Sequence, residues 1–276
     1  MMIRATNKEF KLFRDLIHDE CGIYLADAKK YLVETRLSGI VSQAGCNTFN
    51  DFYILLENPS IARPLKAKVI DAMTTNETLW FRDTKPFQVL SDSLFTTLSG
   101  EIKAGNRSKI EIWSAVCSTG QEPYSIAISA LESNLSNSNV KILASDISPS
   151  ALSIAKLGEY DSLAVSRGLS TDFQAKFFAK QGEKWAVNDN VKSMIDFREF
   201  NLKDPPIGII GPFDIIFLRN VIIYFSTDFK KTLFERIKKL LKPKGCLFLG
   251  TGETITGFSS DFEAITEHGT TYYRLK

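Results

Sequence analysis

Residues Ile110–Ser133 read IEIWSAVCSTGQEPYSIAISALES, and this stretch decides the fold of the 276-residue chain. The apolar run Ile110–Val116 predicts a buried strand, a loop with the single glycine Gly120 follows, and Pro123–Ser133 has the pattern of a helix. A strand that passes through a tight glycine turn into a helix is typical of a doubly wound α/β fold. In such folds a ligand binds outside the carboxyl ends of the strands, so the turn at Gly120 is a candidate binding loop.

Strands and helices continue to alternate through the rest of the chain. We predict strands at Val140–Ser145, Phe213–Leu218, Gly245–Gly250 and Thr270–Leu275, and helices at Pro149–Leu157 and Asp228–Leu241. Strands separated by helices imply βαβ units and a mostly parallel sheet with helices on both faces. Residues 182–198 depart from this alternation, since two short β-like runs flank the turn signal Asn188-Asp189-Asn190. We interpret them as a small β-insertion at the carboxyl edge of the sheet.

The chain before about residue 108 shows helical patterns and no strand pattern. Thr6 and Glu9 have the spacing of a capping box, and Gly22 is predicted to end the first helix. Further helices are predicted at Ala28–Val41, from near Thr48 to before Asn58, and from Thr84 to about Gly100. We therefore divide the chain into an all-α domain, 1–72, and an α/β domain, 73–276, that contains the insertion 182–198.

Composition limits the classes of function. The 34 lysine and arginine residues nearly balance 32 aspartate and glutamate residues, so no strong field attracts nucleic acid or anionic lipid. The N-terminus lacks a signal-peptide pattern and no apolar run is long enough to span a membrane, so we expect a cytoplasmic protein without membrane insertion. The four cysteines contain no CxxC pair and neither histidine has a ligand partner nearby in sequence, so we expect no disulfide framework and no metal site.

Polar residues follow the predicted strands at the edge where a ligand should bind. The loop lacks a GxGxxG pattern, and Glu122 would repel a pyrophosphate; it suits a cofactor with cationic groups, such as S-adenosylmethionine, although it could equally complement the helix dipole. Asp146 ends the second strand, where adenosine-binding domains place the acceptor of ribose hydroxyls, and it could alternatively cap the next helix. Arg219 and Asn220 follow a central apolar strand at the same edge.

Several longer motifs resemble one family, the bacterial chemotaxis receptor methyltransferases, or CheR family. The motifs are TTNETLWFRD at Thr74–Asp83, CSTGQEPYSIA at Cys117–Ala127, SDIS at Ser145–Ser148, Asn201-Leu202, and FLRNVIIYF at Phe217–Phe225. In the helical region, GIYLADAKKYLVETRL at Gly22–Leu37 is similar to the N-terminal domain of the family. Long motifs in the same order over most of the chain are far more specific than a single short motif.

The resemblance implies a cytoplasmic, monomeric enzyme that transfers a methyl group from S-adenosyl-L-methionine to glutamates of chemoreceptor cytoplasmic helices and releases S-adenosyl-L-homocysteine. It implies cofactor contacts for Asn76, Thr78, Arg82, Glu122, Asp146, Asn201, Leu202, Arg219 and Asn220. It points to Arg82 and Tyr224 as catalytic residues, where Arg82 orients a carboxylate of either cofactor or substrate. Residues 182–198 resemble the β-subdomain that binds a receptor C-terminal tail peptide in some members.

Two other functions are compatible with parts of this pattern. A methyltransferase of similar core could act on a small molecule or RNA, and a relative without turnover could only bind cofactor or receptor. The proposed chemistry agrees with the scarcity of histidine, because a glutamate with a pKa near roughly 4.3 is ionised at neutral pH and needs no general base. Trp80 is expected to form an aromatic wall. Lys29, Lys30 and Arg36 could meet acidic receptor surfaces, or, as is more frequent for charged residues on an amphipathic helix, form a solvated face together with Glu34.

Overall fold

The structure, a computed structural model, describes residues 2–209 and 211–276. Within these ranges the helices are α1 Asn7–Cys21, α2 Lys30–Gln43, α3 Phe49–Leu56, α4 Ala62–Met73, α5 Lys85–Val89, α6 Phe95–Lys103, α7 Gln121–Glu132, α8 Pro149–Leu157, α9 Ser162–Ser166, α10 Thr171–Phe177, α11 Asp189–Lys192 and α12 Thr227–Leu240. The strands are β1 Ile110–Ser114, β2 Val140–Asp146, β3 Glu159–Asp161, β4 Phe178–Gln181, β5 Lys184–Val187, β6 Ile195–Glu199, β7 Phe213–Phe217, β8 Leu241–Phe248, β9 Phe262–Glu267 and β10 Thr270–Leu275.

The central sheet has seven strands in the order β6-β2-β1-β7-β8-β10-β9. The first five are mutually parallel, and β10 is antiparallel to both β8 and β9. The chain builds outward from β1 to β6 on one side and from β7 to β9 on the other, so the strand order reverses between β1 and β7. This confirms the doubly wound, mostly parallel α/β fold and places the expected ligand cleft at the β1/β7 edge.

The central strands are apolar on both faces because helices cover both faces. Every residue of β7 is buried. In β1, Ile112 belongs to the core beneath α7, whereas its neighbour Trp113 belongs to the core beneath α12, together with Phe234. The two-residue period of a strand sends alternate side chains to opposite layers, so one continuous apolar run fills both cores.

The helical N-terminal region folds as its sequence predicts, with one addition. Thr6 and Glu9 form the predicted capping box, and Gly22 ends α1 in a left-handed conformation. Helix α4 was not predicted. Arg36, expected to face a receptor, instead donates hydrogen bonds from Nη1 to the carbonyls of Met73 and Thr74, at 2.7 and 3.0 Å. It therefore anchors the end of α4 and the connection into the α/β domain.

The β-insertion differs from its predicted limits. A three-stranded antiparallel sheet of order β3-β5-β4 is present, but its strands come from residues 159–187. The prediction of 182–198 was wrong in extent: Asp189–Lys192 is helical, and β6 pairs with β2 in the central sheet. A local alternation of apolar residues identifies a strand but carries no information about which sheet that strand joins.

Two further segments depart from the sequence prediction. The helix predicted from Thr84 begins at Lys85 and continues to Lys103, with a π-helical turn over Leu90–Leu94. Strand β9 was missed; it forms a hairpin with β10 across Thr270 and Glu267.

Among the described residues no helix combines the length and hydropathy needed to cross a membrane.

Gly168→Ala should strongly destabilise the protein, because Gly168 has φ +111° and an added Cβ would clash with the carbonyl oxygen of Trp80. We expect a loss of about 3 kcal/mol, combining about 1–2 for the left-handed backbone with about 1–3 for overpacking. Gly182→Ala is the matched control, since Gly182 also has positive φ but open space around it. Urea unfolding measures both variants, and equal midpoints for the two would contradict the packing argument.

Candidate functional site

A cleft lies at the β1/β7 edge, between the strand ends and the helical N-terminal region. It encloses about 620 Å³ of space, which includes open solvent. Its lining combines residues from both parts of the chain: Cys21, Ile23, Thr74, Thr75, Asn76, Ala115, Val116, Ser118, Asp146, Ile147, Phe200, Asn201, Leu202, Asn220, Val221, Tyr224 and Phe225. The cleft is therefore a joint product of the two regions.

Asp146 supplies a buried carboxylate to the wall of the cleft. Its Oδ2 accepts a hydrogen bond from the backbone nitrogen of Ser118 at 2.8 Å, and its Oδ1 accepts one from that of Ser148 at 3.0 Å. Burial raises the pKa of Asp146, and these hydrogen bonds oppose the increase only in part. The hydroxyl of Ser148 caps α8, so the alternative interpretation of Asp146 as the helix cap is wrong.

The loop between β1 and α7 approaches its neighbours closely. Gly120 has φ +98°, and an added Cβ would lie 3.0 Å from both the Cβ of Ala155 and the hydroxyl of Tyr160. The hydroxyl of Ser118 donates a hydrogen bond to the carbonyl oxygen of Asn76 at 2.8 Å. The amide of Asn76 in turn lies 3.3 Å from the hydroxyl of Ser148. These two contacts hold the segment around Asn76, which leads into the α/β domain, against the binding loop.

Glu122 lies behind the cleft, paired with Arg219. Its Oε1 accepts a hydrogen bond from the hydroxyl of Ser114 at 2.8 Å, and its Oε2 lies 3.1 Å from Nη1 of Arg219. Nη2 of Arg219 also contacts Oδ2 of Asp83 at 2.6 Å and the carbonyl oxygen of Arg82 at 2.9 Å. Burial raises the pKa of Glu122, although attraction to Arg219 and the Ser114 hydrogen bond oppose it. From the sequence, the negative charge of Glu122 was expected to suit a cationic cofactor. In the structure the guanidinium of Arg219 compensates this charge.

The segment that covers Arg219 has a strained backbone. Phe81, Asp83 and Thr84 have φ values of +47°, +68° and +49°, a region that residues other than glycine seldom occupy. The guanidinium of Arg82 donates from Nη1 to the carbonyl of Glu77 at 3.2 Å. Concentrated backbone strain persists only where the surrounding contacts determine the conformation, and it is frequent at functional sites.

A second loop, after β6, joins the cleft to the end of α1. The amide of Asn201 donates a hydrogen bond to the carbonyl oxygen of Glu20 at 2.7 Å, and Nζ of Lys203 donates to that of His18 at 2.9 Å. The carbonyl of Glu20 thereby gains a partner at the helix end, and the carbonyl of His18, which already accepts from the backbone nitrogen of Gly22, gains a second one. Arg236 contacts the carbonyls of Leu202 and Lys203 from the other side, at 3.1 and 2.7 Å.

Sequence reasoning found only part of this constellation. Of the predicted cofactor contacts, the cleft lining contains Asn76, Asp146, Asn201, Leu202 and Asn220, and of the predicted catalytic residues it contains Tyr224. Thr78, Arg82, Glu122 and Arg219 lie outside that lining, and their roles stay predictions. Trp80 is fully buried against Tyr124, Tyr160 and Phe178, so it anchors the small sheet and does not form a wall of the cleft.

Glu253 was missed by sequence reasoning. Its carboxylate accepts hydrogen bonds from the backbone nitrogens of Asn220, Gly250 and Ile222, at 2.6, 2.7 and 2.8 Å. The one available signal was its place shortly after the predicted strand Gly245–Gly250, at the same edge as Arg219 and Asn220.

Known proteins resemble the chain over its whole length. The family "CheR methyltransferase, all-alpha domain" matches residues 8–74, and "CheR methyltransferase, SAM binding domain" matches residues 76–271. The chain is 42% identical to a chemotaxis protein methyltransferase of Vibrio parahaemolyticus and 40% identical to chemotaxis protein methyltransferase 1 of Pseudomonas aeruginosa, covering 99% of each sequence in both cases. It is 35% identical to a chemotaxis protein methyltransferase of Borreliella burgdorferi, over 92% of this chain and 91% of the relative.

The buried carboxylate of Glu122 should make stability fall as the pH rises. Its pKa is raised in the folded protein, so folding favours the protonated form. The stabilisation is complete below the unfolded pKa, about 4.5, and is lost as the pH rises through the folded pKa. The difference in unfolding free energy between wild type and Glu122→Gln should therefore decrease across this window, as measured by urea unfolding at a series of pH values.

Glu34→Gln provides a control of opposite sign. Although burial alone would raise the pKa of Glu34, hydrogen bonds from the Arg4 side chain and the Ala5 backbone hold it below its usual value. Its stabilisation is present above the unfolded pKa and is lost as the pH falls. As the pH changes, the differences in unfolding free energy between wild type and Glu122→Gln and between wild type and Glu34→Gln must therefore change in opposite directions. A change in the same direction would contradict the assigned directions of the two pKa shifts.

Proposed function

The chain belongs to the CheR methyltransferase family, and from this premise we propose that it methylates glutamate side chains of chemoreceptor cytoplasmic helices, forming glutamate methyl esters. It is an S-adenosylmethionine-dependent methyltransferase of bacterial chemotaxis. The observation that best supports the proposed substrate is the cleft itself, because the helical N-terminal region and the strand ends build it together. A substrate that reaches this cleft must contact both regions.

The residues of the cleft fit S-adenosylmethionine. When bound, the cofactor supplies a methyl group on a sulfonium centre. Asp146 would accept hydrogen bonds from ribose hydroxyls, and the apolar side chains of Ile147 and Phe200 would flank the adenine. Among the other polar groups of the lining, the amides of Asn76 and Asn220 would hold the amino-acid part of the cofactor.

The residues near the cleft suit a reaction that needs no general base. A substrate glutamate is ionised at neutral pH, so the protein has to orient it and exclude water. Well-oriented reactants can gain on the order of 7–11 kcal/mol. We assign this orientation to the guanidinium of Arg82, with the Tyr224 hydroxyl donating a hydrogen bond to the same carboxylate. Among the described residues, the Tyr224 hydroxyl makes no hydrogen bond within the chain.

Three exposed apolar residues, Tyr24, Ile223 and Tyr224, lie on the two segments that border the cleft: Tyr224 lines it, Ile223 precedes Tyr224, and Tyr24 follows the lining residue Ile23; we call them the entrance patch. Their exposed fractions are 60%, 55% and 38%. The backbone nitrogen of Tyr24 donates to the carbonyl oxygen of Tyr224 at 2.7 Å, which joins the two halves of the patch. Exposed apolar clusters beside a site favour a macromolecular partner, and we assign this patch to apolar contacts with the substrate helix.

The small three-stranded sheet offers a second place for receptor contact. Its edge strands are β3 and β4, whose outer backbone groups have no partner strand in this sheet. A receptor tail peptide would add to one of these edges as a further strand. This contact would tether the enzyme without occupying the cleft.

Incubation of receptor-enriched membranes with the protein and tritiated S-adenosylmethionine tests the proposed function. We expect base-labile label on receptor protein, because methyl esters hydrolyse in alkali whereas N-methyl groups persist. Label on RNA or on a small molecule would instead identify a related methyltransferase with another substrate. Cofactor binding without any label would identify a non-catalytic relative.

The double substitution Tyr24→Ala, Ile223→Ala should raise the KM for receptor about tenfold or more, because two apolar contacts of the substrate helix are lost. The affinity for S-adenosylhomocysteine should stay unchanged, since neither side chain reaches the polar wall of the cleft. Ile54→Ala is the control, as Ile54 is 62% exposed on α3. An unchanged receptor KM in the double variant would exclude the entrance patch as a docking surface.

A further inference from the structure

We infer that Glu253 is a positioning residue, whose carboxylate holds the turn after β7 so that Asn220 and Tyr224 face the cofactor cleft. The inference rests on the proposed function and extends it to a residue outside the cleft lining. Glu253 touches neither cofactor nor substrate in this assignment. It acts through the backbone of residues 219–224, which we call the β7 turn.

The carboxylate of Glu253 collects backbone donors from two loops. Its Oε2 accepts hydrogen bonds from Asn220 at 2.6 Å and from Gly250 at 2.7 Å, and its Oε1 accepts one from Ile222 at 2.8 Å. Hydrogen bonds to an ionised acceptor are shorter and about twice as strong as those between neutral groups. One side chain therefore ties the loop after β7 to the loop after β8.

The β7 turn contains a left-handed residue that this carboxylate holds. Asn220 has φ +59°, a conformation that asparagine adopts more readily than most other residues with a side chain but that is still uncommon. A Cβ on Gly250 would lie 2.6 Å from Nδ2 of Asn220 and 2.8 Å from Oε2 of Glu253, so a side chain here would displace one or both of these groups. The amide of Asn220 is thereby packed against Gly250 at the edge of the cleft.

The same carboxylate orients the catalytic candidate Tyr224. Ile222–Tyr224 form a single 3₁₀ turn, and Glu253 accepts a hydrogen bond from the nitrogen of Ile222, its first residue. On the opposite side of the β7 turn, Glu122 and Asp83 hold the guanidinium of Arg219. Carboxylates therefore hold the β7 turn in two ways: Glu122 and Asp83 bind the side chain of Arg219, and Glu253 binds the backbone.

Glu253→Gln tests the inference, because glutamine keeps the size of the side chain but replaces one acceptor oxygen with a donor amide. At least one backbone donor of the β7 turn then loses its partner. We expect the Kd for S-adenosylhomocysteine to rise about tenfold. Hydrogen exchange should accelerate in peptides covering residues 219–224 and remain unchanged in α1–α4. Glu263→Gln is the matched control, since it removes the same charge from an exposed position on β9.

The two readouts separate positioning from general stability. Unchanged cofactor affinity in Glu253→Gln, or exchange that accelerates equally throughout the molecule, would overturn the inference. Glu253→Asp retains the charge on a shorter side chain, so it should bind S-adenosylhomocysteine with an affinity between those of wild type and Glu253→Gln. If Glu253→Gln does not fold, Glu253→Asp is compared with wild type by the same two readouts. Failure of the wild type to bind S-adenosylhomocysteine would instead refute the proposed function, and hydrogen exchange would still test Glu253.

Discussion

The buried guanidinium of Arg219 is the interaction on which the rest of the site depends. Its side chain is 2% exposed, and it binds Glu122 on α7, Asp83 on the strained segment before α5, and the carbonyl of Arg82. A charge removed from water is costly unless each partner is in place. Sheet, helix and connecting segment therefore meet at one buried guanidinium, and the loss of either carboxylate would leave it with a single anionic partner.

The two neighbouring residues Arg219 and Asn220 of the β7 turn have different roles. Arg219 points into the protein and belongs to its electrostatic framework, whereas the next residue, Asn220, lines the cleft. Asn220 has a left-handed backbone, and Glu253 holds that backbone from the neighbouring loop by accepting a hydrogen bond from its nitrogen. Rigid support behind a polar lining keeps the binding groups in place before a ligand arrives, which lowers the ordering cost of binding.

Much of the fold could be predicted from the sequence because burial on both faces leaves a strong local signal. Strand β7 is apolar at four of five positions, and the helices beside it show the spacing of apolar residues that is typical of amphipathic helices. Strand β9 escaped because it lies at the edge of the sheet, where one buried residue, Phe262, is followed by mostly exposed positions. The partner of β6 escaped for another reason: pairing with β2 joins residues about fifty positions apart, and no local pattern records that choice.

In the candidate site, too, the sequence reveals some residues and not others. Asp146 and Asn220 were found because a polar residue directly after an apolar strand marks the ligand edge of a doubly wound sheet. The orientation of Glu122 could not be found, since its partner Arg219 lies 97 residues away and only the folded chain brings the two together. Glu253 had still less signal, because its partners are backbone nitrogens, which every residue except proline supplies. A sequence thus reveals the groups that meet a ligand more readily than the groups that hold them in position.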